Sequence, residues 1–315
     1  MRKTCLDMVY QLAKADERIV FIGSDLGAGT LQAFKEQMPE RFFMEGVSEA
    51  TVIGMAAGLA MEGKIPYVNT IATFLTRRCF EQIAIDCCLH QAAVRLIGNG
   101  GGLVYAPLGP THLAIEDMAI LRALPHMAIV APADAMEMRR LMPATVNYAG
   151  PLYIRLGKGN DPVVTTDEGP FEIGKAVPMR EGDDALVVTT GTTLQVALEA
   201  AAVLHERGLE AAILHMPTIK PLDRGTLLRM AAAVPVVVTV EEHSVIGGLG
   251  SAVAEVIAEA SLHPAKRFKR IGIPDVFPDR YGSQAGLMKH YGLSAEEVAA
   301  TITRLLADAP QGVRA

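Results

Sequence analysis

Glu49 is the strongest candidate for a residue with a chemical role, because it is an isolated acid at the start of a stretch of small and apolar residues. Residues 51–63 predict a helix that is buried on most of its circumference. Burying a carboxylate is costly unless the group is paired. Glu49 is therefore either a capping acid, which together with Ser48 accepts hydrogen bonds from the first helical turn, or an acid that takes part in a reaction.

Other polar and aromatic candidates follow predicted strands: Asp25 follows the first strand, Phe74, Arg77 and Arg78 follow a later one, and His112 ends a Gly-Pro-Thr turn. Most have a simple structural explanation, since Asp25 suits a turn, the arginines suit a solvated helix face and Phe74 suits a core. His112 differs, because the turn holds its imidazole where it can exchange a proton near neutral pH.

The composition excludes several classes of protein. The chain has 315 residues, of which 50% are hydrophobic and 20% charged, and its net charge is -6. A length near 300 residues predicts about two domains. The acidic balance argues against binding to nucleic acid or anionic lipid.

We expect a soluble cytoplasmic protein, because we find no leader-like segment and no apolar run of about 18 residues. The four cysteines lack metal-site spacing and are expected to be reduced and structural.

Short β-branched runs alternate with helical stretches along the chain, which predicts an α/β fold with a parallel sheet covered by helices on both faces. Residues 1–157 are expected to form this domain, and the Gly-, Asp- and Thr-rich residues 158–170 a linker. Residues 171–315 predict a smaller α/β domain with a mixed sheet. In that sheet we expect residues 171–177 and 186–190 to pair antiparallel through a turn at Gly182.

Nucleotide-binding signatures are weak. Glycines at positions 247, 248 and 250 precede a predicted helix, but their spacing is not G-x-G-x-x-G. The chain has no P-loop, zincin motif or nucleophile elbow. A nicotinamide-dependent dehydrogenase is an alternative that failure to bind that cofactor would remove.

Several motifs together resemble the thiamine diphosphate enzymes of the transketolase group. They are Gly46-Val47-Ser48-Glu49-Ala50, Thr73-Phe74-Leu75, Gly109-Pro110-Thr111-His112, Ile115-Glu116-Asp117, Tyr153-Ile154-Arg155-Leu156-Gly157 and Glu241-Glu242-His243. The resemblance covers nearly the whole chain. It is strongest to the C-terminal subunit of split transketolases and weaker to deoxyxylulose-phosphate synthases. It implies that residues 1–157 are a pyrimidine-binding domain and residues 171–315 a transketolase C-terminal domain.

The resemblance also implies roles for individual residues. Glu49 would hydrogen-bond a pyrimidine nitrogen and assist the proton transfer that activates thiamine diphosphate. Phe74 would stack on the aminopyrimidine, and Phe80 would also belong to the cofactor site. His112 would contact a hydroxyl or carbonyl of the donor substrate. Asp25 would lie near the thiazolium across a subunit interface.

The family's diphosphate and magnesium motif, Gly-Asp-Gly with a downstream Asn, does not occur in the sequence. The resemblance therefore implies a separate N-terminal transketolase subunit that supplies the ligands of the diphosphate and of Mg²⁺, so that no metal ligand is expected in this chain. The expected assembly is an α₂β₂ heterotetramer, with self-association of this chain and thiamine diphosphate between the two kinds of subunit.

The departures from the family pattern concern the substrate. Leu108 and Leu113 stand where the family has Asp and Gln, so we expect substrate recognition at these positions to be apolar instead of polar. Gly100 and Gly29 stand where the family has a phosphate-binding His and Ser, and Lys158 replaces an Arg. Because a phosphate dianion needs several oriented or charged donors, we predict a substrate that is not an ordinary sugar phosphate.

Arg77, Arg78 and Lys158 are then left to hold any anionic end of the substrate. The leading interpretation is a subunit that transfers a two-carbon ketol unit from a ketose-type donor to an aldehyde. The alternatives are the beta subunit of a 2-oxo-acid dehydrogenase, an enzyme like deoxyxylulose-phosphate synthase, and a non-catalytic regulatory partner subunit.

Overall fold

A computed structural model describes residues 1–23, 31–157, 159, 161–166 and 169–308. The strands in this part of the chain are β1 (Ile19–Gly23), β2 (Phe42–Met44), β3 (Ile65–Ile71), β4 (Arg95–Asn99), β5 (Ala128–Val130), β6 (Leu152–Leu156), β7 (Val177–Arg180), β8 (Ala185–Thr189), β9 (Ala211–His215), β10 (Thr218–Lys220), β11 (Val236–Ser244) and β12 (Arg267–Ile273). The α-helices are α1 (Arg2–Ala15), α2 (Gln32–Gln37), α3 (Glu49–Met61), α4 (Phe80–Gln82), α5 (Asp117–Arg122), α6 (Ala135–Val146), α7 (Thr193–Glu206), α8 (Arg224–Ala232), α9 (Leu249–Ala260), α10 (Gln284–His290) and α11 (Ala295–Ala307).

The first sheet has the strand order β10-β5-β6-β4-β3-β1-β2. All its pairs are parallel except that of β10 with β5. One face packs against α1 and α6, and the other against α3 and the helical segment that follows β3. The predicted parallel sheet with helices on both faces is therefore confirmed. The antiparallel edge strand β10 was not predicted, because its three residues are too few to show a period.

The second sheet has the order β12-β11-β8-β9-β7 and is mixed, as predicted. The predicted partner of its reversed strand is wrong. That strand is Val177–Arg180 rather than residues 171–177, and it pairs antiparallel with β9 instead of β8. The reason is that β8 already has parallel neighbours on both sides, β11 and β9, so a further strand can pair only at an edge of the sheet, and this strand pairs at β9.

The helical segment after β3 is not a regular α-helix. It begins at Phe74 and consists of wide π-helical turns over Phe74–Arg78 and Ile83–Leu89, with the short α4 between them. Single π-helical turns inside helices occur frequently at functional sites. This segment carries four of the candidate residues.

Asp134 begins α6, as its position after Pro132 predicts. One carboxylate oxygen accepts hydrogen bonds from the backbone N–H of Met136 and Glu137, at 2.9 and 3.0 Å. The other accepts from the backbone N–H of Val164 and Thr165, both at 2.7 Å. Burial raises the pKa of Asp134, but these hydrogen bonds outweigh burial and hold the pKa below its usual value. One carboxylate thus caps the helix and fixes the chain between the two sheets.

The four cysteines are buried and form no disulfide. Burial raises the pKa of Cys5 and of Cys79 to about 12, so both thiols stay protonated and unreactive at neutral pH. Among the described helices, none is both long and apolar enough to cross a bilayer.

Candidate active site

Three strand-to-helix connections bring the main candidate residues to one edge of the first sheet. Glu49 is the first residue of α3, shortly after β2, and Phe74 follows β3. His112 lies in the long connection after β4. Ligands of parallel sheets bind outside the carboxyl ends of the strands, which is where all three residues lie.

Glu49 is buried, with only 6% of its surface exposed. Of the two alternatives for this helix start, capping by Ser48 is not observed, because the Ser48 hydroxyl donates to the carbonyl of Glu45 at 2.8 Å and makes no hydrogen bond to α3. The partner of Glu49 is Arg78, whose Nη1 lies 3.4 Å from each carboxylate oxygen. This distance is long for a charge-assisted hydrogen bond, so the pair is a loose ion pair.

Arg78 also lies over the ring of Phe74, with its Cζ 3.8 Å from the ring centroid. This is the geometry of a cation–π contact. The ring of His112 meets Phe74 edge-on, with a centroid distance of 5.1 Å and an interplanar angle of 62°. Glu49, Arg78, Phe74 and His112 thus form one continuous group, which we call the Glu49 cluster.

Two threonines fix His112. The hydroxyl of Thr73 donates to the His112 carbonyl at 3.1 Å, and the hydroxyl of Thr111 lies 2.9 Å from Nδ1. Within the described residues Nε2 of His112 has no hydrogen-bond partner, so it is the ring nitrogen open to a ligand. Sequence reasoning missed the role of Thr73, although its place next to Phe74 in a strand-to-helix connection was a usable signal.

The two adjacent arginines have different surroundings. Arg77 forms an ion pair with Glu116 and donates to the carbonyl of Leu113 at 3.0 Å and to that of Pro110 at 3.5 Å. Its guanidinium therefore holds the chain around His112. Arg78 is 48% exposed and more weakly held. The predicted substrate contact of Arg77 stays a prediction, and this geometry gives Arg77 a role in positioning the loop.

Leu113 does not face a substrate, which corrects the expectation that it makes substrate recognition apolar. It is fully buried in a core cluster shared with the second sheet. Leu108 is 51% exposed and is open to solvent near His112 in the chain. Phe80 begins α4 and packs against the core on the α3 side of the sheet. Leu108 and Phe80 stay predicted site residues.

Gly100 directly follows β4 and has a φ of +74°, a conformation that favours glycine. A Cβ atom at this position would overlap the ring of Tyr105. The space that a larger side chain would need is therefore filled by Tyr105. Asp25, Gly29 and Lys158 lie outside the described residues. Among the residues that are described, no group of three or more His, Cys, Asp or Glu side chains could hold a metal ion.

Comparison with known proteins adds family evidence to this geometry. The pyrimidine-binding domain of transketolase matches residues 1–163, and the transketolase C-terminal domain matches residues 174–298. A putative transketolase C-terminal section of Methanocaldococcus jannaschii is 38% identical over 96% of this chain and 95% of the relative. A 6-deoxy-6-sulfo-D-fructose transketolase subunit of Clostridium sp. is 36% identical over 95% of this chain and 92% of the relative. A solved structure described as a split gene transketolase, inactive beta4 tetramer, has a TM-score of 0.88 and 37% identity, and the match covers 97% of both chains.

Proposed function

Because this chain belongs to the transketolase family, we propose that it is the C-terminal subunit of a two-chain enzyme that transfers a two-carbon ketol unit from a ketose-type donor to an aldehyde acceptor. The observation that carries the proposal is the Glu49 cluster, in which a buried acid, an aromatic ring and an imidazole meet at the carboxyl edge of the sheet. These are the groups that the family resemblance assigns to the cofactor and to the donor.

The residues of the cluster fit the aminopyrimidine of thiamine diphosphate. Glu49 is a buried acid that can share a proton with a ring nitrogen, and Phe74 offers an aromatic face beside it. Arg78 covers both at present, but its half-exposed side chain is held only by a loose ion pair and a ring contact, so it can move aside. When bound, thiamine diphosphate supplies the carbon nucleophile of the reaction.

In this proposal each residue has one task. Glu49 holds the proton that it shares with the pyrimidine, in a site that water reaches poorly. Phe74 orients the ring by stacking. His112 offers Nε2 to an oxygen of the donor. Thr73 keeps His112 in place through the backbone carbonyl of His112, and Arg77 does so through the carbonyl of Leu113.

We also propose that an N-terminal subunit completes the site. The face formed by α3 and the helical segment after β3 carries three exposed large apolar residues, Met61, Ile85 and Leu89. Glu49 begins α3, about 18 Å from Met61 at its other end, so a subunit that covers α3 along its whole length also reaches the cofactor site and can supply the ligands of the diphosphate and of Mg²⁺. The expected assembly is α₂β₂, with additional contacts between copies of this chain, and the whole enzyme is active only as this complex.

The substrate in this proposal lacks an ordinary phosphate group or carries a different anion. Tyr105 fills the space beside Gly100, and Leu108 is apolar and exposed. Relatives of the same 36% identity are named for 6-deoxy-6-sulfo-D-fructose and for apulose 4-phosphate, so subunits of this family act on ketoses with either anion. The cytoplasm is the compartment that we propose, since the four cysteines are free thiols.

The test uses the chain assembled with its N-terminal subunit, thiamine diphosphate and Mg²⁺. We expect ketol transfer by the complex, with lower turnover of xylulose 5-phosphate plus ribose 5-phosphate than of unphosphorylated ketoses. Equal or better turnover of the two phosphates contradicts the substrate proposal. Decarboxylation of a 2-oxo acid in place of ketol transfer supports the dehydrogenase alternative.

A further inference from the structure

The residues around His112 form a loop that is closed at its base. Gly102 N donates to the carbonyl of Ala114 at 2.8 Å, and Ala114 N donates to that of Gly102 at 3.1 Å. These two hydrogen bonds close residues 103–113 into a single loop, which we call the His112 loop. The position of His112 over the site therefore depends on what holds this base.

A glutamate of the second domain forms a hydrogen bond with one side of the base of the loop. Glu242 lies in β11, and its Oε1 accepts a hydrogen bond from the backbone N–H of Leu103 at 2.6 Å. The same carboxylate is held by Gln284 Nε2 at 2.9 and 3.0 Å and by the Thr192 hydroxyl at 3.1 Å. Gly102 must be glycine here, because a Cβ atom would lie 2.7 Å from Glu242. Gln284 and Thr192 thus hold the carboxylate in the position in which it accepts the hydrogen bond from Leu103.

Arg155 of β6 and the backbone of β11 hold the other side of the base. Arg155 Nη2 donates to the carbonyl of Ala114 and to the carbonyl of Glu242, both at 3.0 Å. Just beyond the loop, Ser244 N donates to the carbonyl of Ile115 at 2.7 Å. The backbone and side chains of β11 therefore contact both ends of the His112 loop.

We propose that Glu242 is a positioning residue for the reaction, through which the second domain fixes the His112 loop over the active site. This inference rests on the proposed role of His112 toward the donor. Glu242 does not itself meet the Glu49 cluster, since its carboxylate is directed at Leu103, Gln284 and Thr192. Burial raises the pKa of Glu242, which shows that the fold keeps this acid inside at a cost in desolvation.

The neighbouring residue provides a matched control. Glu241 is also fully buried, and it accepts hydrogen bonds from the backbone N–H of Leu249 and Gly250 at 2.7 and 2.8 Å. It therefore supports the start of α9 and does not contact the His112 loop. Glu241→Asp shortens a buried glutamate by one methylene group, as Glu242→Asp does, but it affects the start of α9 and not the His112 loop.

The experiment compares Glu242→Asp, Glu242→Gln and Glu241→Asp in the assembled complex. Glu242→Asp keeps the charge but withdraws the carboxylate from Leu103, whereas Glu242→Gln keeps the reach and one acceptor oxygen. Hydrogen exchange of peptides spanning residues 103–113 reports on the loop. The kcat and KM for the donor and the Kd of thiamine diphosphate report on the site.

We expect Glu242→Asp to raise exchange in the loop and to lower kcat, each by about tenfold, as for one lost hydrogen bond to a charged group. The Kd of thiamine diphosphate should not change, because Glu49 and Phe74 do not belong to the loop. In Glu242→Gln both loop exchange and kcat should stay within about threefold of the wild type. In Glu241→Asp the loop exchange should stay within the same range. Unchanged loop exchange in Glu242→Asp, or a larger effect of Gln than of Asp, overturns the inference. If the wild-type complex shows no ketol transfer, the proposed function fails, and loop exchange still decides whether Glu242 fixes the loop.

Discussion

Arg78 covers the two groups that the proposed function assigns to the aminopyrimidine. Its Nη1 lies 3.4 Å from both oxygens of Glu49, and its Cζ lies 3.8 Å from the centroid of Phe74. A cation that lies over the ring and beside the acid occupies the space that a stacked pyrimidine needs. Binding of thiamine diphosphate must therefore displace the Arg78 side chain.

The first prediction follows from this competition. Arg78→Ala should tighten binding of thiamine diphosphate to the assembled complex by about threefold to tenfold, because a half-exposed ion pair and a cation–π contact together contribute about this much. Titration calorimetry measures the change. Arg139→Ala, at an exposed position of α6, is the control and should have no effect. Weaker binding in Arg78→Ala would show that Arg78 contacts the bound cofactor instead.

The second prediction concerns Glu49. Glu49→Gln keeps the size of the side chain but removes its ability to exchange a proton, so kcat of the assembled complex should fall at least about a hundredfold. The Kd of thiamine diphosphate should change much less, because Phe74 and the partner's diphosphate site are untouched. Glu62→Gln, at the exposed end of the same helix, serves as the control. Full activity of Glu49→Gln would support the alternative of a non-catalytic regulatory subunit.

The sequence predicted those features that depend on local patterns. The alternation of β-branched and helical segments predicted both sheets, and the isolated acid before an apolar run predicted a buried Glu49. The position of Asp134 after Pro132 predicted its capping contacts within α6, but not its hydrogen bonds to Val164 and Thr165 about 30 residues away. These features need only residues that are close in the chain.

Features that depend on distant neighbours were missed. Phe74 and Arg78 are only four residues apart in one helical segment, a spacing at which side chains meet, so that contact was predictable, whereas the ion pair of Arg78 with Glu49, 29 residues away, was not. Leu113 appeared to be a substitution in the site, but the second sheet buries it. The filling of the space at Gly100 by Tyr105 depends on how the loop folds back, which no periodicity encodes.

A third prediction tests the proposed docking face of the partner subunit. Leu89 is 67% exposed on the segment beside α3, and burying it against another chain would remove its apolar surface from water. Leu89→Lys should therefore weaken assembly with the N-terminal subunit by at least about tenfold, since a lysine buried at such an interface loses hydration. Analytical ultracentrifugation measures the assembly.

The control for this face is Phe277→Lys. Phe277 is 75% exposed and belongs to the second domain, after β12. The substitution adds the same charge at a similarly exposed apolar residue, so it should leave assembly unchanged. If both variants assemble like the wild type, the face around Leu89 is not where the partner docks.

The fourth prediction is a dependence of stability on pH through Asp134. Its carboxylate accepts hydrogen bonds from both α6 and residues 164–165, which hold its pKa below the ordinary value of 3.8 despite burial. Because the pKa is lower in the folded chain, the stabilisation is complete above pH 3.8 and is lost as the pH falls through the folded value. Acid should therefore loosen the connection between the two sheets.

Asp134→Asn isolates this contribution. Asn can cap the helix with its oxygen, but its NH₂ group would face the N–H donors of Val164 and Thr165, so the free energy of unfolding at pH 7 should fall by about 2 kcal/mol. The difference from the wild type should shrink as the pH is lowered below 4, because Asp134 then gains a proton in the unfolded chain while it is still ionised in the folded chain. Urea unfolding at several pH values measures both. Asp183→Asn, at an exposed turn, should change the free energy by less than about 0.5 kcal/mol. A difference between Asp134→Asn and the wild type that stays constant from pH 7 to pH 3 would show that the charge of Asp134 does not stabilise this connection.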